Sequence, residues 1–401
     1  MTQSIPGSFL AVEPNPEIVS RATALVPMIR EYANQGAEGR RVAPEVIKEL
    51  DRADLFRLFL PARLGGLEAS AATIFETLAE VSRGDGSTGW VTTLLSSAAG
   101  YVSTFPDQAQ HDIFGANPRA RVSGTFAPTT QVERVVEGGY LVSGRWPYSS
   151  GSFAADWLTL GLLIPRENPD ENPVSMALFP RDACRIEPSW FVTGLTGTGS
   201  DTVVVDNQFV PDHRIQPMHN MLDGEWLTSH KEDRVAGWPF SSLVSVILAA
   251  PQLGLARHAL EITRAKLGDK RVTNTAYRQA RLSPTHQLNV ADAATKLHLA
   301  ELAMRRVAHD IDTASAERRR PDVETRARIR NDTGVIADLC KESIGLLLTA
   351  NGSGSFAESN VLSRIWRDSE IANRHAHVTS GIGREAYGRI LLGNHDHLIE
   401  L

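Results

Sequence analysis

Apolar residues recur every three or four positions along the first part of the chain, as they do on the buried side of a helix. This pattern predicts helices over residues 16–33, 44–58, 70–82 and 90–105. The string Asp85-Gly86-Ser87 is typical of a helix start and marks where the last of these begins. We therefore expect an N-terminal helical domain over residues 1–118.

The pattern changes to alternating polar and β-branched or aromatic residues after about residue 119, which is typical of strands. Strands are predicted over residues 131–136, 140–146, 157–164 and 201–205, with a polar loop over residues 165–173. Glu137-Gly138-Gly139 is a hairpin signal between the first two of them. These features predict a central antiparallel β domain over residues 119–225.

Helical periodicity returns in residues 226–401. Residues 284–316 contain no glycine and no internal proline, and their apolar stripe steps by three or four, which predicts one long helix. Two more long helices are predicted over residues 323–349 and 361–392. The expected fold class is thus a multi-domain α+β protein whose C-terminal part is a four-helix bundle.

Composition excludes several classes of protein. Apolar residues make up 42% of the chain and charged residues 22%, which is ordinary for a globular protein. The formal net charge of −6 argues against a nucleic-acid partner. The two cysteines exclude a disulfide framework and favour the cytoplasm. The most apolar stretch, residues 243–255, is too short and too interrupted to cross a membrane, and residues 1–12 lack the features of a secretion signal.

The order of a helical domain, a β domain and a helical bundle resembles the acyl-CoA dehydrogenase fold, and three sequence strings resemble motifs of that family. Residues 194–200 are similar to its glycine turn and are followed by Phe-Val-Pro at residues 209–211. Residues 264–268 are similar to its R-x-x-F-G element, and residues 364–368 to its R-x-x-R-D element. Together with the order of the domains, the resemblance extends along nearly the whole chain.

The glutamate base of a dehydrogenase is missing from both places where the resemblance would put it. His375 and Ala376 occupy the usual position, and Val244 occupies the alternative position on the first bundle helix. Residues 144–151, Gly-Arg-Trp-Pro-Tyr-Ser-Ser-Gly, instead resemble a signature of the two-component flavin-dependent monooxygenases. That branch also places a histidine eight residues after the arginine that matches Arg367, which is the position of His375, and residues 386–388 resemble its closing segment.

The resemblance implies the oxygenase component of such a monooxygenase. A separate NAD(P)H:flavin reductase would supply reduced FMN or FAD, and O2 would react through a flavin C4a-hydroperoxide to hydroxylate an aromatic or polycyclic small molecule. N-oxidation of an amine stays open. The resemblance further implies a cytoplasmic homotetramer with no metal. The alternatives are an FAD-dependent acyl-CoA dehydrogenase-type oxidoreductase and a catalytically silent relative.

The resemblance and the residue chemistry together predict the site residues. The expected catalytic residues are His375, Ser149 and Ser150. The expected flavin-binding residues are Trp146, Thr125, Ser200, Arg264, Gly352 and Gly354. The expected substrate-binding residues are Trp90, Tyr148, Tyr387 and Ala98.

Their predicted roles leave some choices open. A serine hydroxyl would hydrogen-bond near flavin N5, and His375 would either deprotonate a phenol or hold a proton on the distal peroxide oxygen. Ala98 stands where many phenol hydroxylases of the branch have a second histidine, which indicates either weaker base-assisted activation of a phenol or a larger or non-phenolic substrate. Core packing is the alternative role for Trp90 and Trp146. Since residues 361–392 are predicted to be helical, His375 and His377 are expected to point to different sides.

Overall fold

A computed structural model describes residues 12–132, 134–165, 171–394, 396 and 399. The helices that precede the strands are α1 (Pro16–Glu38), α2 (Pro44–Arg52), α3 (Ala71–Gly84), α4 (Gly86–Val102) and α5 (Asp107–Phe114). The predicted start of α4 is confirmed, because the Asp85 side chain accepts a hydrogen bond from the backbone N–H of Thr88. Helix α2 ends earlier than predicted, shortly before Asp54 adopts a left-handed backbone with φ of 62°.

Two four-stranded sheets follow. The strands are β1 (Val122–Gln131), β2 (Arg134–Val136), β3 (Gly139–Trp146), β4 (Trp157–Leu163), β5 (Val174–Pro180), β6 (Cys184–Glu187), β7 (Thr202–Pro211) and β8 (Ile215–Pro217). One sheet has the order β1-β4-β5-β8 and the other has the order β2-β3-β7-β6. The predicted β2–β3 hairpin is confirmed, with Val136 opposite Gly139.

The expectation that every strand pair is antiparallel is wrong, because β1 and β4 are parallel. The chain leaves β1, passes through β2 and β3 in the other sheet, and comes back to β4 in the same direction. Trp146, at the end of β3, lies between the two sheets, and its indole N–H donates to the carbonyl of Gly161 in β4 at 2.7 Å. This contact joins the two sheets at the end of the segment that carries Ser149 and Ser150.

The helices after the sheets are α6 (Met218–Asp223), α7 (Phe240–Val246), α8 (Ala250–Lys266), α9 (Pro284–Ala316), α10 (Val323–Asn351), α11 (Val361–Ala372) and α12 (Ser380–Leu391). Helix α9 covers its predicted range. The prediction of one helix over residues 361–392 is wrong, because a turn over residues 373–379 separates α11 from α12. The turn allows α12 to dock on α10, where a Cβ added at Gly334 would lie 2.5 Å from the Cα of Ser380.

Helices from both ends of the chain share one core. A Cβ added at Gly254 in α8 would lie 2.1 Å from the carbonyl oxygen of Ala79 in α3, so the two helices are in backbone contact. Phe240–Lys266 is the one described segment that is long and apolar enough to cross a bilayer, and 83% of its most apolar window is buried inside the protein. Such burial is typical of a core helix in a globular protein.

Candidate active site

Helix α4 is the element around which the predicted site residues gather. Each residue of α4 is buried except Leu94, which is partly exposed. Trp90, Leu94, Ser97 and Tyr101 follow one another at steps of four, three and four, so they lie on one face of the helix. We call this stripe the Trp90–Tyr101 face. Leu94 in its middle is partly exposed, so solvent reaches this face beside Leu94, and we call that opening the recess.

The turn over residues 373–379 brings His375 to one end of this face. The imidazole of His375 lies edge-on to the indole of Trp90, with ring centroids 5.6 Å apart. Its second aromatic neighbour is His377, whose ring is stacked on it at 5.8 Å. The expectation that these two histidines point to different sides is therefore wrong, because it assumed a helix where the backbone turns.

Hydrogen bonding fixes the tautomer of His375. Its Nδ1 accepts the backbone N–H of His377 at 3.2 Å, so the proton of the neutral ring is on Nε2. Desolvation, then the His377 ring, then the Arg330 guanidinium lower the pKa of His375 to about 4. The residue as a whole is nonetheless exposed to solvent. The ring is therefore neutral at physiological pH and presents an N–H donor.

Arg330 of α10 holds the turn over residues 373–379 by a hydrogen bond. Its Nη2 donates to the carbonyl of Ala376 at 2.7 Å. The residue is 5% exposed, and its Nη1 has no hydrogen-bond partner among the described residues. Burial lowers the pKa of this guanidinium. An uncompensated positive charge of this kind disfavours protonation of the adjacent histidines.

No carboxylate contacts His375 in the described parts of the chain. Helix α11 has two acidic residues. Asp368 is buried, and its Oδ1 accepts the backbone N–H of Leu195 at 2.5 Å, while Glu370 pairs with Arg374. Burial, together with the like charge of Asp85, raises the pKa of Asp368. Val244, at the alternative position for a base, is an apolar residue of α7. Neither residues 375–376 nor residue 244, where a dehydrogenase would have its base, provides a carboxylate.

A chain of hydroxyl groups lies behind the loop that follows β3. Thr198 donates to the carbonyl of Leu195 at 2.9 Å, so it can only accept from Ser200 at 2.7 Å. Ser200 must then accept from Ser150 at 2.5 Å. The structure thus brings two predicted residues, Ser150 and Ser200, into direct contact. It also directs the hydroxyl hydrogen of Ser150 into the protein.

Ser149 also uses its hydroxyl hydrogen within the protein, because it donates to the carbonyl of Trp146 at 3.0 Å. The adjacent Ser152 was missed by the sequence analysis, although it directly follows the Ser-Ser-Gly string. Its residue is fully buried and its Oγ has no hydrogen-bond partner in the described structure. Such an orphaned hydroxyl is the kind of group that a bound molecule satisfies.

The loop over residues 147–152, which we call the serine loop, contacts α4, and so does His375. Gly151 has a left-handed backbone with φ of 75°, and a Cβ there would lie 3.3 Å from Val91 and 3.4 Å from Leu95 of α4. Val91 directly follows Trp90, which contacts His375. Ala98 is also buried on α4, on the side of the helix between Leu94 and Val91.

These residues fit the edge of a reduced flavin. Ser149 and Ser150 have given their hydrogens to the protein, but their oxygens keep lone pairs for the flavin N5–H, and Ser152 has both functions free. Gly151 lets this loop approach α4 closely because it has no side chain. Thr125 lies on β1, which borders the same loop through the hydrogen bond from Ser123 to the carbonyl of Ser150 at 2.6 Å.

The other predicted residues lie away from this group. Trp146 is completely buried, which agrees with a packing role between the sheets. Tyr148 is 69% exposed and lies edge-on to Trp190. Tyr387 is half-buried on α12. None of these three has a recorded contact with His375.

The two glycines and the arginine predicted to bind flavin occupy separate surfaces of one chain. Gly352 ends α10, and Gly354 lines a pocket of about 570 Å³ whose basic residues include Lys266 and Arg364. Arg264 lines a different pocket of about 460 Å³, together with several glutamates. The structure therefore does not bring Arg264 and Gly354 into one site within a single chain.

Comparisons with known proteins agree with this architecture. The family model described as acyl-CoA dehydrogenase, C-terminal domain, matches residues 246–380. The structure of XiaF from Streptomyces sp., in complex with FADH2 and glycerol, has a TM-score of 0.89 and 28% identity, and 96% of each chain is covered. The fold and the site thus define a flavoenzyme of the acyl-CoA dehydrogenase fold.

Relatives of known activity narrow the class. The oxygenase subunit HsaA, a flavin-dependent monooxygenase of Rhodococcus jostii (strain RHA1), is 31% identical over 89% of this chain and 94% of its own length. The oxygenase component of the FADH2-dependent resorcinol hydroxylase of Rhizobium sp. (strain MTP-10005) is 30% identical over 95% of each chain. The chain belongs to the family of flavin-dependent monooxygenase oxygenase subunits.

Proposed function

We propose that this protein hydroxylates an aromatic or polycyclic small molecule with one oxygen atom of O2, using reduced flavin made by a separate reductase. The observation that carries the proposal is the neutral His375, which lies edge-on to Trp90 and has no carboxylate beside it among the described residues. A dehydrogenase needs a base at the flavin to remove a proton from carbon. A neutral imidazole N–H is better suited to positioning an oxygen atom.

Bound reduced flavin would supply the electrons that activate O2. His375 holds a proton at Nε2 and donates a hydrogen bond to the oxygen of the substrate or to the incoming oxygen. Its Nδ1 is already occupied by the N–H of His377, which disfavours the role of general base. Trp90 forms an apolar wall, and Ser149, Ser150 and Ser152 would accept or donate hydrogen bonds at the flavin edge.

The proposal is tested in a single turnover without the reductase. The purified protein is mixed with chemically reduced FMN or FAD, a phenol or an arylamine, and isotopically labelled O2. One labelled oxygen atom in the product is the expected result, and its position distinguishes carbon from nitrogen oxidation. Oxidation of an acyl thioester with no label in the product would favour the dehydrogenase instead.

Replacing Arg330 with methionine is expected to shift the acidic limb of the pH–rate profile to higher pH. The variant loses one of the three causes that lower the pKa of His375, but desolvation, the largest cause, remains. The pKa should therefore rise part of the way toward the ordinary value of about 6.5. Since the neutral ring is the active form, the variant should lose activity at a higher pH than the wild type as the solution is acidified.

The matched control is Arg330→Lys, which keeps the charge and should keep the wild-type limb. An NMR titration of the His375 ring provides a readout independent of turnover. Identical profiles for the methionine and lysine variants would show that the charge of Arg330 does not act on His375.

We further propose a cytoplasmic homotetramer. Both cysteines, Cys184 and Cys340, are free and buried, which is compatible with a reducing compartment. Leu288, Leu299 and Leu302 of α9 are 63%, 48% and 47% exposed, and exposed leucines along one helix favour contact with another subunit. A subunit contact would also allow Arg264 of one chain to reach the flavin of another.

A further inference from the structure

We propose that a cavity between the α9–α10 connection and the start of α7 is a second binding site, separate from the candidate active site, and that it takes a phosphate group. The cavity has a volume of about 170 Å³. Each charged residue that lines it is an arginine: Arg318, Arg319, Arg320 and Arg326. The ligand class is inorganic phosphate or a small phosphate ester.

Arg318 is held in place by neutral groups. It follows the end of α9 and has a left-handed backbone with φ of 48°. Its Nη1 donates to the carbonyl of Lys231, and its Nη2 donates to the carbonyl of Glu232 at 2.6 Å. A guanidinium group has five N–H donors, so Arg318 keeps donors for another acceptor. No carboxylate of the described residues balances its charge.

Arg319 has a carboxylate partner, but the pair is weak. Its Nε donates to Glu317, and both side chains are about half exposed, which limits the strength of such an ion pair. The terminal nitrogens of Arg319 take no part in this bond. Arg320 and Arg326 make other interactions as well. Arg318 and Arg319 are therefore the guanidinium groups that we assign to the ligand.

A buried donor without a partner lies in another wall of the same cavity. Trp238 is 5% exposed, and its Nε1 has no hydrogen-bond partner in the described structure. Its ring is edge-on to Phe59 at 5.5 Å. The indole N–H of a buried tryptophan usually finds a partner, since leaving it without one is costly. A ligand in the cavity would provide the missing acceptor.

Close backbone packing keeps the two walls together. A Cβ added at Gly237 would lie 2.8 Å from the carbonyl oxygen of Ser315 and 3.6 Å from Cγ of Arg318. The segment that carries Trp238 therefore contacts the end of α9 directly. Charged donors from one segment and a neutral N–H donor from the other line one small space.

This combination suits a phosphate group. Its oxygens point in several directions, so one group can accept from guanidinium donors and from the indole N–H at the same time. The cavity is smaller than the ~300–1,000 Å³ of typical small-molecule sites, which excludes a flavin. Pro239 and Phe240 also line it, and they provide an apolar wall for a short organic substituent.

The cavity is close to the candidate active site but does not belong to it. Phe240 lines the cavity, and its ring lies edge-on to Tyr101 of α4 at 4.6 Å. Neither His375 nor any residue of the serine loop is among the lining residues. The inference therefore does not depend on the reaction that the protein catalyses.

Binding of two probes to the flavin-free protein tests the inference. Inorganic phosphate and phenyl phosphate are titrated by calorimetry at an ionic strength held constant with sodium chloride. Arg319→Gln and Trp238→Phe are each expected to weaken binding by about fivefold or more, because each removes a donor. Tighter binding of phenyl phosphate would identify a phosphate ester as the ligand, and tighter binding of inorganic phosphate would identify the free ion.

Two arginine variants serve as controls. Arg306→Gln removes an equally exposed, ion-paired arginine of α9 that does not line the cavity, and it should bind both probes as the wild type does. Arg264→Gln removes the arginine predicted to bind flavin and should also have no effect. No binding of either probe, or binding that Arg264→Gln abolishes and Arg319→Gln does not change, would overturn the inference.

Trp238→Phe is expected to fold normally, because the deleted N–H has no internal partner and the aromatic contact with Phe59 is kept. Thermal unfolding without phosphate checks this for each variant. Phosphate should raise the melting temperature of the wild type and of Arg306→Gln more than that of Arg319→Gln, since only a ligand bound to the folded state stabilises it. Equal shifts in all three proteins would also contradict the assignment.

Discussion

His375→Ala is expected to lower product formation by about two orders of magnitude or more, within the range of a side chain that positions or transfers a proton at the reacting atoms. The imidazole lies edge-on to Trp90, and because Nδ1 accepts the backbone N–H of His377, the proton of the neutral ring is on Nε2. Product is measured in the single turnover with reduced flavin, under saturating substrate. Reduced flavin should be consumed in the variant, with hydrogen peroxide released in place of product.

Two matched variants separate the possible roles of the histidine. His375→Gln keeps an amide N–H near the position of Nε2 and should recover part of the activity if the ring acts as a donor. His377→Gln changes the stacked neighbour in the same turn but keeps its backbone N–H, so its activity should stay within about tenfold of the wild type. Glutamine at position 375 performing no better than alanine would favour proton abstraction instead.

Gly151→Val is expected to weaken binding of reduced flavin by at least tenfold, or about 1.4 kcal/mol. The new side chain would press on Val91 and Leu95, since even a Cβ would lie 3.3 Å and 3.4 Å from them. The loop that carries Ser149, Ser150 and Ser152 would then move away from α4. Equilibrium titration with reduced FMN and FAD under anaerobic conditions measures the effect.

The backbone strain at Gly151 needs its own control, and Gly138 provides one. Its φ of 78° is nearly the same as that of Gly151, but a Cβ there would meet nothing within 4 Å. Gly138→Val should lose stability by roughly 1–2 kcal/mol from the left-handed backbone alone and bind flavin as the wild type does. Equal loss of flavin affinity in the two variants would contradict a specific role for the Gly151 contact with α4.

Local sequence patterns were sufficient for most of the helices. The long helix over residues 284–316 was predicted at its observed bounds, because an uninterrupted apolar stripe with no glycine has only one regular structure open to it. The β2–β3 hairpin followed from the glycines at its turn. His375 was identified by its spacing from Arg367, and the missing glutamate separated oxygenase from dehydrogenase.

The arrangement of those residues depended on contacts between distant segments, which periodicity does not encode. The polar stretch around His375 is compatible with a helix, but docking of α12 on α10 through Gly334 requires a turn there. The stacking with His377 and the lowered pKa of His375 follow from that turn and from the buried Arg330.

The sequence by itself determined most of the element types and the flavoenzyme family, and it predicts His375 at the position of the missing carboxylate, because these depend on residue identity at fixed spacing. Only the tertiary structure decided which ring nitrogen of His375 carries the proton, which serine lacks a partner and that the hydroxyl of Tyr101 lacks one too. The physical reason is that hydrogen-bond satisfaction and desolvation are properties of a packed environment, assembled here from α4, the serine loop, α7 and α10.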